Sequence, residues 1–115
     1  MSFTLDLTDD HTRLMYTLLI RIRDLSIEVA TGMSHSRGSV LAMCWADGFT
    51  AKRTKKGALI DLLTMQVALN DDEFVLADIH TKHLHSDEKK RQAIIRKIYR
   101  DGKKWRENGR PGAIG

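Results

Sequence analysis

The basic side chains near the C-terminal end are the residues whose type and spacing point most directly to a chemistry. Residues 86–115 hold ten of the nineteen Lys and Arg and only four acids, a formal charge of +6, whereas residues 1–85 carry −2. Clustered ammonium and guanidinium groups bind phosphate and carboxylate oxygens. The asymmetry therefore predicts a polyanionic partner, such as nucleic acid.

The spacing of these cations suits one face of a helix. At about 100° per residue from Ile94, the apolar stripe lies between about 0° and 140° and consists of Ile94, Trp105, Ile98, Ile95 and Tyr99. The sector from about 180° to 320° carries seven cations with no acid among them, namely Lys103, Arg96, Lys89, Arg100, Lys104, Lys97 and Lys90. A solvated face usually interleaves Glu with Lys, so the unbroken sign favours phosphate binding over simple solvation. The β-branched isoleucines argue against a membrane-surface helix.

A second basic segment lies at residues 51–56, AKRTKK. Together with the helix it defines the predicted contact residues for nucleic acid or an acidic partner. These residues are Lys89, Arg96, Lys97, Arg100, Lys103, Lys104, Lys52, Arg53, Lys55 and Lys56.

No arrangement of residues indicates catalysis or a cofactor. Phosphate-loop, dinucleotide-binding and nucleophile-elbow motifs are absent from the sequence, and the single cysteine, Cys44, lies in an apolar segment typical of a buried side chain. Asp78, His80, His83 and His85 fall within eight residues, but they match no metal-binding pattern and are interpreted as a polar surface turn. We therefore expect a non-enzymatic protein without metal.

The elements that must position these residues are mostly helical. Residues 2–7 alternate polar and apolar, which predicts a short strand or extended segment. Helices are expected at about 9–31, at about 40–47 after a polar turn at 34–36, from Thr54 through an all-round apolar segment, and at about 86–107. Asn70 to Glu73 has the form of a capping box and predicts a fourth helix through Ile79, with a strand as the alternative. Gly102 costs about 1 kcal/mol relative to Ala, so the last helix is expected to end there or to reach Trp105.

Three DNA-binding arrangements are consistent with this order of elements. The order of elements around Gly48 and around 83–86 is that of a helix-turn-helix unit. In the first of these, Thr54 and Gly57 occupy positions of the recognition helix that normally are apolar. Residues 2–47 resemble a ribbon-helix-helix repressor in element order, which implies a paired N-terminal ribbon in the major groove. The first helix is several residues longer than in that family and the ribbon would carry Asp6, so no functional residues are transferred.

The sequence thus predicts one helical domain over residues 1–108, a bundle of about five helices, with a flexible tail at 109–115. The long apolar runs of membrane spans and export signals are absent, and a single cysteine fits a reducing cytoplasm. The leading hypothesis is a small cytoplasmic DNA-binding regulator of transcription that uses the basic C-terminal helix, with DNA favoured over RNA. The alternatives are a phage- or plasmid-type adaptor or inhibitor that binds an acidic surface of a host protein, and a structural homo-oligomer, such as a homodimer built through the N-terminal strand or the third helix.

Overall fold

The computed structural model describes residues 10–32 and 39–109, and in these ranges it contains five α-helices and no strand. The helices are α1 Asp10–Thr31, α2 Val40–Ala46, α3 Lys55–Ala68, α4 Asp78–Thr81 and α5 Glu88–Asn108. The predicted helical bundle is confirmed. The predicted strand at 2–7, the polar turn at 34–36 and the tail from residue 110 lie outside the described residues.

Helix α3 lies at the centre and packs against α1, α2 and α5. Its first turn is capped by Thr54, whose Oγ1 accepts a hydrogen bond from the Gly57 N–H at 3.0 Å. Its apolar residues are buried by the neighbouring helices, as an all-round apolar helix predicts; these are Ala58, Leu59, Leu62, Leu63, Met65, Val67 and Ala68. These residues are therefore used for packing within one chain.

Helix α1 covers one side of α3 and contacts α2 and α4 as well. Leu18, Ile22 and Leu25 on its inner face are fully buried. The helix ends where predicted, at Gly32, whose φ of 71° is a left-handed conformation that glycine adopts without strain. An ion pair of 2.9 Å between Arg21 and Asp47 ties α1 to the end of α2.

The predicted fourth helix is wrong over most of its length, since α4 begins only at Asp78 and has four residues. The Asn70 side chain does not cap a new helix, because it donates back to the Gln66 carbonyl at 2.7 Å. Asp71 instead accepts the Glu73 N–H at 3.0 Å and forms a local turn. The segment 70–77 is therefore a loop, which also excludes the strand alternative.

The two helix-turn-helix arrangements are not formed. Eight residues, 47–54, separate α2 from α3, and six, 82–87, separate α4 from α5. Both connections exceed the three to four residues of a helix-turn-helix turn. Helix α5 therefore owes its position to its own packing against α3 and not to a tight turn from α4.

Candidate nucleic-acid interface

Helix α5 is fixed to the body of the protein through its apolar stripe. Ile98 is fully buried, and Ile94, Tyr99 and Trp105 pack against the core from its edge. The Tyr99 hydroxyl accepts the Leu76 N–H at 2.8 Å, which also holds the loop before α4. The N-cap is Asp87, whose Oδ1 accepts the Lys90 N–H at 3.0 Å, one residue later than the predicted start at Ser86.

Gly102 is the closest point between α5 and α3, and the helix does not end there. It is buried, and a Cβ at this position would lie 2.6 Å from Val67 Cγ1 and 3.0 Å from the Thr64 carbonyl oxygen. The absence of a side chain lets the two backbones approach. The helix continues to Asn108, so the seven cations share one rigid element.

The opposite side of α5 presents the predicted cations to solvent. All seven cations of the 180° to 320° sector, hereafter the cationic face, are exposed. Within the described residues six of the seven have no ion-pair partner, and Arg100 has only a long contact of 3.7 Å to Asp101. The charge of this face is thus left largely uncompensated by the fold.

One acid does lie on the cationic face. Because the helix continues past Lys104, Glu107 is exposed at about 220°, the angular position of Lys89, so the expectation of a sector without acid is wrong in the last turn. Glu107 is 18 residues from Lys89 along the helix, or about 27 Å. The central part of the face therefore keeps its single sign.

Two other arginines of α5 serve the fold. Arg106 pairs with Asp72 and donates to the Val67 carbonyl at 2.7 Å, which closes the end of α3 against α5. Arg91 pairs with Glu88 in the first turn. Arg91 and Arg106 lie on a different side of α5 from the cationic face. The cations that pair within the fold are therefore separated around the helix from the exposed ones.

The basic connector does not form one continuous strip with the cationic face. Lys52 lines the same groove as Lys97, so these two cations are brought together. Lys55 pairs at 2.9 Å with Glu28, which is 2% exposed, and its charge is used inside the fold. Arg53 lies beside Trp45, and Lys56 faces a separate pocket near Arg91.

The groove shared by Lys52 and Lys97 has a volume of about 550 Å³ and runs between α3 and α5. Its apolar lining includes Phe49, Ile98 and Trp105, and its carboxylates are Asp61 and Asp101. Asp61 accepts the Thr50 hydroxyl at 2.7 Å. The sequence carries no local signal for these two acids, because they are forty residues apart and meet only through helix packing.

Other groups with chemical potential are held inside the body. Cys44 is fully buried, as predicted, and burial raises the pKa of its thiol to about 11. Burial lowers the pKa of His80, whose Nδ1 has no hydrogen-bond partner within the described part of the chain. Over residues 10–32 and 39–109, no three His, Cys, Asp or Glu side chains are grouped to hold a metal ion.

Comparison with protein-family models, with curated proteins and with solved structures finds no match to this chain. None of the helices in the described residues is both long enough and apolar enough to span a membrane.

Proposed function

We propose that this protein is a small non-enzymatic nucleic-acid-binding protein, a regulator that contacts the phosphates of DNA through the cationic face of α5. One observation carries the proposal. A helix of 21 residues is docked firmly on the core by one side and carries on the other a set of exposed cations that the described fold leaves unpaired. Such a face releases counterions when it binds a phosphate backbone.

The geometry supports a backbone contact more than the reading of bases. The cations between Lys89 and Lys104 extend over about 22 Å of helix, the length of several phosphate spacings on one strand. Trp105 packs against the core from the apolar stripe and is not displayed on the cationic face. The expected binding is therefore dominated by salt-dependent electrostatics.

The test is a fluorescence anisotropy titration with a labelled duplex at 50 and 200 mM salt. If about four phosphates are neutralised, the logarithm of the affinity falls with a slope of about −3.6 against the logarithm of salt concentration. The double variant R96E/R100E should weaken binding at least tenfold. Its matched control is R13E/R23E, which changes the net charge equally on exposed positions of α1.

Equal losses in the two variants would show that net charge alone attracts DNA, and the proposal would fail. Single-stranded DNA and RNA of the same length are measured in parallel, since the face does not by itself distinguish them. If none of the three binds, the alternative ligand of the same face is an acidic protein surface. A partner retained after nuclease treatment, and lost on R96E/R100E, would identify that case.

A further inference from the structure

A second cationic site lies in a pocket between α1, the start of α3 and the turn that leads into α5. The pocket has a volume of about 330 Å³. Every ionisable residue that lines it is basic, and these residues are Lys56, Lys82, His83, His85 and Arg91, with the Ser86 hydroxyl beside them. Only Lys56 belongs to the contact residues predicted from the sequence. The others come together through folding.

The acids nearest to this pocket in the chain are already engaged elsewhere. Glu28, next to Val29 of the lining, pairs with Lys55, and Glu88 pairs with Arg91. Asp87 caps α5. Lys56, Lys82 and His83 have no hydrogen bond or ion pair from their side chains to any described residue. The charges of Lys56 and Lys82 are therefore not balanced by any described residue, whereas that of Arg91 is paired with Glu88.

Helix α3 adds to this positive potential. It begins with two lysines and has no acid in its first turn, although the positive end of the helix dipole disfavours cations there. Lys55 is compensated by Glu28, and Lys56 is not. An anion bound beside Lys56 would remove this conflict and would also meet the helix N-terminus favourably.

The turn before α5 orients one of the histidines that line the same pocket. The His85 Nδ1 accepts the Asp87 N–H at 2.9 Å, so a neutral His85 carries its proton on Nε2. Arg91 is held by Glu88 and by a long contact of 3.4 Å to the Lys82 carbonyl. Two of the basic groups are thus positioned before any ligand arrives.

We infer that this pocket binds a phosphate monoester. A monoester carries nearly two negative charges and three terminal oxygens, which match several converging donors better than the single charge of a backbone diester. The site is distinct from the cationic face, because Arg91 projects from α5 about 170° away from the middle of that face. The inference does not rest on the proposed function. The monoester belongs either to the 5′ end of a nucleic acid or to a small phosphorylated molecule.

The test is a titration with phenyl phosphate and, as a singly charged analogue, phenyl sulfate. Binding is measured from the backbone amide shifts of residues 82–91 in NMR spectra. Wild-type protein should bind phenyl phosphate saturably and at least tenfold more tightly than phenyl sulfate. The variant K56A/K82A should lose at least tenfold in affinity. K89A/K90A removes the same charge from exposed positions outside the pocket and should change it less than twofold.

The inference is overturned if no saturable shift occurs, if the sulfate binds equally well, or if K89A/K90A weakens binding as much as K56A/K82A. Single strands with a 5′-phosphate or a 5′-hydroxyl distinguish the two sources. If the 5′-phosphorylated strand binds tenfold more tightly and K56A/K82A abolishes this preference, the site is assigned to a nucleic-acid end. If the two strands bind with equal affinity while phenyl phosphate binds tightly, the site is assigned to a small molecule. The variant R96E/R100E should keep its phenyl phosphate affinity, so failure of the proposed function leaves this result interpretable.

Discussion

Substituting Gly102 by alanine tests whether the close packing of α5 on α3 positions the cationic face. In an exposed helix the change would stabilise by about 1 kcal/mol, because alanine is the better helix former. Here the new Cβ would lie 2.6 and 2.7 Å from Val67 Cγ1 and Cβ, against an ordinary carbon contact of about 3.5 to 4.0 Å. Val67 overlaps by about 1 Å and the Thr64 carbonyl oxygen, at 3.0 Å, is also tight; because Val67 Cβ and this carbonyl do not move when a side chain rotates, rotation cannot relieve the clash.

Overpacking of this kind costs up to about 3 kcal/mol, so the net expectation is a loss of about 2 kcal/mol in the free energy of unfolding. Urea denaturation measures it, and A93G on the exposed side of α5 calibrates the helix-propensity term in the same helix. The variant V67A/G102A should be somewhat less destabilised than the sum of its single changes, because V67A removes the Cγ1 overlap at 2.6 Å while the overlap with the Cβ of residue 67 remains. A G102A protein as stable as the wild type would refute the reasoning.

Three further predictions concern groups in the body of the protein. K55A should lower the free energy of unfolding by up to about 3 kcal/mol, because it removes the lysine that pairs with the buried Glu28 carboxylate. The adjacent and exposed K56A should change it by less than about 0.5 kcal/mol. An equal effect of the two would contradict the role of the ion pair. Burial raises the pKa of Cys44 to about 11, so the stability that this thiol contributes is fully present below its unfolded pKa and is lost as the pH rises toward 11. The urea midpoint should therefore fall over that range more in wild type than in C44A. Ellman's reagent should label the folded protein slowly at pH 8. Burial lowers the pKa of His80, so the contribution of this residue to stability is fully present above the unfolded pKa of about 6.5 and is lost as the pH drops below it. The free energy of unfolding of H80L should therefore be less sensitive to pH between 7.5 and 5.5. An unchanged pH profile would exclude His80 as the cause.

Helices α1, α2, α3 and α5 could be predicted because each has a local signal. Gly32 ends α1, Thr54 caps α3, and the apolar stripe of α5 recurs at helical spacing. The fourth helix was wrong because the same Asn and Asp residues that cap helices also form turns. In the loop that forms instead, the Leu76 N–H donates to the Tyr99 hydroxyl, 23 residues away in the chain.

The cationic face could be predicted as an angular sector, but the partners of individual cations could not. Lys55 finds Glu28 on α1, 27 residues earlier, and Arg106 finds Asp72 in the loop before α4. Neither pair has the i, i+3 or i, i+4 spacing that marks ion pairs within a helix. For the same reason the pocket that Lys56, Lys82 and His85 line has no signature in the sequence, because these residues meet only when separate parts of the chain pack together.

The separation of paired and unpaired cations on α5 has an energetic consequence for the free protein. Arg100 has four cations at i±3 or i±4, and like-charge neighbours at these spacings destabilise a helix by about 0.2 to 0.5 kcal/mol each; these neighbours are Arg96, Lys97, Lys103 and Lys104. Removing the four repulsions is worth about 1 to 2 kcal/mol at low salt, so R100E should stabilise the free protein by at least about 1 kcal/mol while it weakens DNA binding. If the face is merely solvated, R100E should gain stability without losing affinity for DNA. A gain in stability together with a loss of affinity would indicate that the charge is kept for a ligand at the expense of stability.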